Sequence, residues 1–275
     1  MGILDLELVA KIVSTGAETV QPLTIQVLSA ISPVLLNEYN AVSSGNTIGD
    51  GSGADTFFGT SADANGGPWL ELVVVGDGTG NTIDMRGWSI DIDDSAGLPF
   101  RADETVVLSE DSYWAAVPIG TILTLTERTS VQGGLDTWIN KTSRLGQSSL
   151  PYLWSNIHIG DPYYINQTAS TTGGKLPISS SNTQFRIRKR DGTVVAGPCG
   201  EGLKTLPGVS STEVFRLTSE PSATVNPLDA GYVDGTQSTF GSPNMNQTFA
   251  AFQISNSAPT IGNLPTKYAV EGQGY

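Results

Sequence analysis

Two apolar stretches constrain this chain more than anything else in it: residues 69–75 (WLELVVV) and 84–92 (DMRGWSIDI), joined by residues 76–83 (GDGTGNTI). The first is apolar almost throughout, with Glu71 its one interruption, as in a strand buried on both faces. The second alternates after its glycine, with Trp88, Ile90 and Ile92 set against Ser89, Asp91 and Asp93. That period of two reads as a strand with one wet face. The glycine-rich link supplies residues that accept positive φ and bond locally, so the two stretches are expected to pair as a hairpin around which further sheet is built.

The rest of the chain reads the same way. Glycine (32) and proline (15) are frequent, and only 15% of residues are charged. No long helical periodicity runs through the sequence, so the expected class is all-β. Further strands are expected at residues 34–39, 105–108, 121–126, 184–188, 193–196, 213–218 and 248–254. A chain of 275 residues is long enough to bury one large core or two smaller ones. Residues 42–68 and 132–174 read as long insertions, the second rich in aromatics and therefore ordered.

Charge and cysteine narrow the partners. Lys and Arg number 14 against 27 Asp and Glu, a net charge of -13, which repels a phosphate backbone; no nucleic-acid partner is expected. The basic residues cluster once, at Arg186, Arg188, Lys189 and Arg190, before Asp191-Gly192, and read as the polar face of a hairpin strand with an Asp-Gly turn. Cys199 is the one cysteine, so neither an intrachain disulfide nor a CxxC metal site forms. No apolar run approaches the roughly 18 residues of a membrane helix, so no membrane insertion is expected. The first twenty residues hold Asp5, Glu7, Lys11 and Glu18 and do not read as a signal peptide.

Nucleophilic hydrolysis needs a base beside a serine or cysteine. His158 is the only histidine, its alternation with Ile157 and Ile159 reads as structural, and no Gly-x-Ser-x-Gly elbow occurs. No catalytic residue is therefore assigned, and the chain is expected not to be an enzyme. Asp91, Asp93 and Asp94 lie together after Trp88, while Asp50, Asp55 and Asp77 lie in glycine-rich loops. Oxygen-rich loops of this kind suit Ca²⁺, and no other cofactor is indicated; solvated acidic turns read identically, and neither loop is an EF-hand. Trp138, Tyr152, Trp154, Tyr163 and Tyr164 fit either a sugar-stacking platform or the core of the insertion.

The order of several short blocks resembles the lamin-tail domain in its bacterial form. The blocks are Leu36-Asn37-Glu38-Tyr39-Asn40-Ala41, Asp55-Thr56-Phe57-Phe58-Gly59, Trp69-Leu70-Glu71-Leu72-Val73-Val74-Val75 and Ile83-Asp84-Met85-Arg86-Gly87-Trp88. Gly197-Pro198-Cys199-Gly200-Glu201-Gly202, Ser211-Thr212-Glu213-Val214-Phe215-Arg216-Leu217 and Gly241-Ser242-Pro243-Asn244 follow, so the likeness covers about residues 34–254. It implies an immunoglobulin-like β-sandwich over residues 33–256, without a shared active site, in a secreted or cell-surface prokaryotic protein. Residues 257–275 are similar to the opening of an immunoglobulin- or cadherin-like repeat. Residues 1–32 read as a hairpin, with strands at residues 4–13 and 22–28, similar to the end of a preceding one. On this reading the chain is a structural or adhesive module that binds protein partners or itself, as in a filament, by strand pairing. The alternative is a carbohydrate-binding module that attaches a hydrolase to surface glycans through the aromatic insertion.

Overall fold

The computed structural model describes residues 9–11, 18–20, 31–95, 99–127, 144–149, 152–170, 175–180, 182–203, 208–249 and 252. Near the start, β1 (Val9–Lys11) pairs antiparallel with β2 (Glu18–Val20), Val9 opposite Val20. The second N-terminal strand expected at residues 22–28 lies outside the described residues, and the observed partner is the stretch just before it.

The main body is all-β. Its first half holds β3 (Val34–Asn40), β4 (Ala54–Asp55), β5 (Trp69–Val74), β6 (Thr82–Ile83), β7 (Ser89–Asp93), β8 (Glu104–Val107), β9 (Val117–Pro118) and β10 (Thr121–Thr126). Its second half holds β11 (Arg144–Ser149), β12 (Tyr152–His158), β13 (Gln184–Arg188), β14 (Val194–Cys199), β15 (Val214–Leu217), β16 (Tyr232–Gly235) and β17 (Gln237–Ser238). A seven-stranded sheet runs β11-β12-β10-β5-β3-β15-β16, antiparallel except for β10 with β12. An antiparallel four-stranded sheet runs β14-β13-β7-β8. The two form a sandwich over one continuous core. Tyr39 of the larger sheet meets Phe185 of the smaller at 5.2 Å between ring centroids and its neighbour Phe215 at 5.3 Å.

The expected central hairpin does not exist. Both edges of β5 are taken, by β3 and β10, so the chain leaves the larger sheet after Val74 and enters the smaller one as β7. The glycine-rich link is thus a crossover between layers, and β6 within it pairs with β9. Reading β5 as buried on both faces was sound, but its two edges, already paired with β10 and β3, leave no room for a hairpin partner. The wet face expected of β7 is also absent: Ser89, Asp91 and Asp93 are buried, with Arg188 and Arg186 beside Ser89 and Asp91 on β13.

Three further departures concern elements. The aromatic insertion contributes β11 and β12, which extend the larger sheet. A stretch that reads as coil contains β16, stacked onto the core through Tyr232 against Phe215. The strand expected at residues 248–254 is not formed where the chain is described: Phe249 has a φ of 54° and its carbonyl accepts from Phe252 in a turn. The hairpin across Asp191-Gly192 forms as expected.

A third layer covers the outer face of the larger sheet. It is built from the loop at residues 42–68 and the segment at residues 236–249, which meet in the parallel pair β4–β17. Asn40 fastens the first of these, donating from Nδ2 to the carbonyls of Ala64 and Gly67 at 2.7 Å each. Phe57, Phe58, Trp69, Trp154 and Phe240 pack as one ring cluster between cover and sheet.

Candidate functional site: a covered polar cluster on the larger sheet

The outer face of an exposed sheet carries polar side chains; here the cover buries them. A bulge in β3 between Leu36 and Glu38 sends Asn37 and Glu38 both to that face, and Glu38 lies opposite Glu71 of β5 and Arg216 of β15. Asn37, Glu38 and Glu71 have no exposure at all. Each would be costly there without partners, and the cover supplies most of them.

Glu71 accepts from Asn37 Nδ2 on Oε1 and from the Gly241 N–H on Oε2, both at 2.7 Å. Glu38 accepts from the N–H and hydroxyl of Thr239 on Oε2, at 3.3 Å each. Asn244 Nδ2 donates to the carbonyls of Asn37 and Leu217 at 2.9 Å, and Gln247 Nε2 donates to Asn37 Oδ1 and the Leu217 carbonyl at the same distance. Asp55 closes the other side: Oδ1 accepts from the N–H groups of Phe57 and Phe58, and Oδ2 from Asn65 Nδ2 and the Ser238 hydroxyl. Gly241 permits the close approach; it sits at a φ of +73°, and a Cβ there would lie 2.5 Å from Trp154.

Three carboxyl groups in one dry layer oppose each other's charge. Burial, then the Asp55 charge, pushes Glu38 up to about 8. Burial, then Glu38, pushes Glu71 well above the carboxylate range despite its hydrogen bonds to Asn37 and Gly241. Arg216 is close enough to draw Glu38 down slightly, yet among the described residues it forms no ion pair. Its Nε and Nη1 are buried without an acceptor, and Glu38 Oε1 is likewise unpartnered. Beside them a cleft of about 250 Å³ is lined by Asp55, Thr56, Arg216, Gln237, Ser238, Thr239, Pro243 and Met245.

The acidic residues singled out in the sequence are dispersed. Asp91 accepts from Arg186 and Arg188, with ion-pair distances of 2.7 and 2.6 Å, and from Thr105. Burial pushes Asp91 up, but the hydrogen bonds of the two arginines outweigh it and hold the carboxyl below its ordinary value. Asp93 and Asp94 gather with Asp103 in the one trio of potential metal ligands found among the described residues. Asp93 is already occupied by Ser95 and by the Arg101 N–H, whereas burial and Asp103 raise the pKa of Asp94. Six to eight oxygens make a calcium shell, so this trio falls short of one by itself. Asp50 is exposed, Asp77 caps Thr79 in an exposed turn, and Asp55 belongs to the covered cluster.

The aromatics whose side chains are described likewise do not converge. Trp154 is packed under the cover and donates from Nε1 to Thr124. Tyr164 is buried, its carbonyl accepting from Trp114 Nε1, while Tyr163 is 63% exposed on the same turn. Tyr152 lies on β12, and Trp138 lies outside the described residues. His158 Nδ1 accepts from the Gly160 N–H, a structural turn bond.

Glu38, Glu71, Arg216, Asn244 and Gln247 escaped the sequence reading as a site. Their one signal was Glu71, and the Asn37-Glu38 pair, standing inside otherwise apolar strands. Searches against family models, curated proteins and solved structures return no match.

Proposed function

We propose that this chain is a non-catalytic structural or adhesive β-sandwich module, of immunoglobulin-like lamin-tail type, from a secreted or cell-surface prokaryotic protein. The observation that carries the reading is how the polar groups are spent. Blocks of the lamin-tail likeness up to 207 residues apart (Asn37-Glu38, Glu71 and Asn244) meet in a network that fastens a cover to a sheet. Carboxylates and amides used this way hold loops in place, and loops so held can present a binding surface.

Sheet edges are the second support. β14 carries Pro198, which has no N–H to offer a neighbour. β8 is bridged along its free side by the Asn166 N–H to the Val107 carbonyl and by the Ser170 hydroxyl to the Thr105 carbonyl. Among the described residues, β11 and β16 pair on one side only, and they are the natural place for strand addition. The glycan alternative draws less support, because Trp154 and Tyr164 are committed to packing.

Sedimentation velocity over a wide concentration range, with negative-stain microscopy, tests the assembly. Association that weakens several-fold in Asp234→Pro, at an N–H of β16 that faces away from β15, is the expected result. A monomer at every concentration, with no assemblies on the grid, would sink it.

A further inference from the structure

Glu38 and Arg216 face each other as the two halves of a bond that is not made. They are cross-strand partners of β3 and β15, on the covered face of the larger sheet. Glu38 Oε1 and Arg216 Nε and Nη1 are all buried without a partner among the described residues. Residues directly opposite on antiparallel strands have Cβ atoms about 5 Å apart, so side-chain rotation alone can join the two. A guanidinium keeps its charge at any ordinary pH. The missing half is the charge of Glu38.

That charge is poorly received where the carboxyl now lies. Its links to the cover are the N–H and hydroxyl of Thr239, both at 3.3 Å, and the single hydroxyl proton is shared with Asn244 Oδ1 at 2.5 Å. Residues 236–249 hold no Asp, Glu, His, Lys or Arg, and the loop at residues 42–68 holds Asp50, Asp55 and Asp63 but no Lys or Arg. Among the described residues, the charged or titratable groups facing Glu38 are Asp55 of β4, Glu71 of β5 and Arg216 of β15. Burial, then Asp55, pushes Glu38 up to about 8, and Glu38 and Glu71 oppose each other; Arg216 alone favours the charge.

We infer that Glu38 is a two-position latch on the cover, protonated against Thr239 when the cover is shut and ionised against Arg216 when it is open. The move exchanges two long contacts to an uncharged segment for charge-assisted bonds, which are about twice as strong as neutral ones. It also deprives the Thr239 N–H of its acceptor in a dry layer, and that cost is relieved when the turn at residues 238–242 opens to water. Opening lifts Gly241 off Trp154, on which it packs so closely that a Cβ there would lie 2.5 Å from the indole. The raised folded value sets the sign: the shut form is favoured at low pH and loses ground as pH climbs toward about 8. This latch is separate from the strand edges of the assembly reading and does not depend on them.

Carbon-detected NMR from about pH 6 to about pH 9.5 follows the Glu38 carboxyl, the Arg216 guanidinium and the carbonyl carbons of residues 238–242. All three should change with one midpoint, the turn moving toward coil values while β5 and β13 stay as they are. Tryptophan emission should shift to the red at the same pH, and Trp154→Phe should remove the shift. Glu38→Gln, which still accepts from Thr239 but does not ionise, should hold the turn shut throughout. Arg216→Gln should raise the proton affinity of Glu38 about tenfold or more and delay opening to higher pH; where it fails to fold, the Arg216 signal of the unchanged chain decides. The proposal is overturned if Glu38 titrates while Arg216 does not respond, or if the turn stays shut. It is equally overturned if both sheets loosen together with the turn, or if opening persists in Glu38→Gln.

Discussion

Glu38 sits beneath the cover with burial and Asp55 both opposing its charge, and its carboxyl rises from an ordinary 4.5 to about 8. The raised folded value means that folding favours the protonated form. Its contribution to stability is complete below the unfolded pKa, is lost as pH climbs toward 8, and changes little above that. Glu71 acts in the same direction. Stability should therefore fall by a few kcal/mol between about pH 5 and pH 8, because each tenfold difference in proton affinity between folded and unfolded chain is worth about 1.4 kcal/mol. In Glu38→Gln that fall should be visibly shallower, as read from urea midpoints at each pH. An identical slope in the variant would mean that Glu38 does not titrate as its burial requires. Position 38 was legible as part of a strand, but its partners come from Thr239, some 200 residues along the chain, and no local pattern announces a contact of that range.

The elements divide by how their signals arise. β3, β10, β13 and β15 follow from runs of apolar and β-branched residues, and their observed bounds differ from the expected ones by a residue or so. β16 (YVDG) was missed because four residues bounded by glycine give too short a period, and its place depends on pairing with β15. The segment at residues 236–249 is the reverse case, since hydrogen bonds rather than a strand ladder hold most of it. Asn244→Ala removes the donor shared by the Asn37 and Leu217 carbonyls and leaves buried acceptors short, a loss of about 1–3 kcal/mol. Hydrogen exchange should then quicken first in residues 239–249. Protection lost evenly over both sheets would mean that the cover has no stability of its own.

At the scale of the molecule, one core runs between the sheets, from Leu72 and Tyr39 on one side to Ile90 and Phe185 on the other. Tryptophans report on separate parts of the fold, Trp69 beneath the cover and Trp88 at the end of the crossover. Fluorescence and far-ultraviolet circular dichroism should melt together in a single transition, unmoved by EDTA. Two separated transitions would mean that cover and sandwich fold apart, and a fall with EDTA would show a bound cation, for which Asp93, Asp94 and Asp103 are the trio found among the described residues. The all-β class, most strands and the Asp191-Gly192 hairpin were determined by the sequence itself, because period and turn chemistry act between residues close along the chain. Only the tertiary structure decided that β5 and β7 belong to opposite sheets and that Glu38, Glu71 and Arg216 share one dry face. Strand neighbours and the burial of a polar group are set by which distant segments compete for the same edge or cover, and a linear pattern holds no record of that competition.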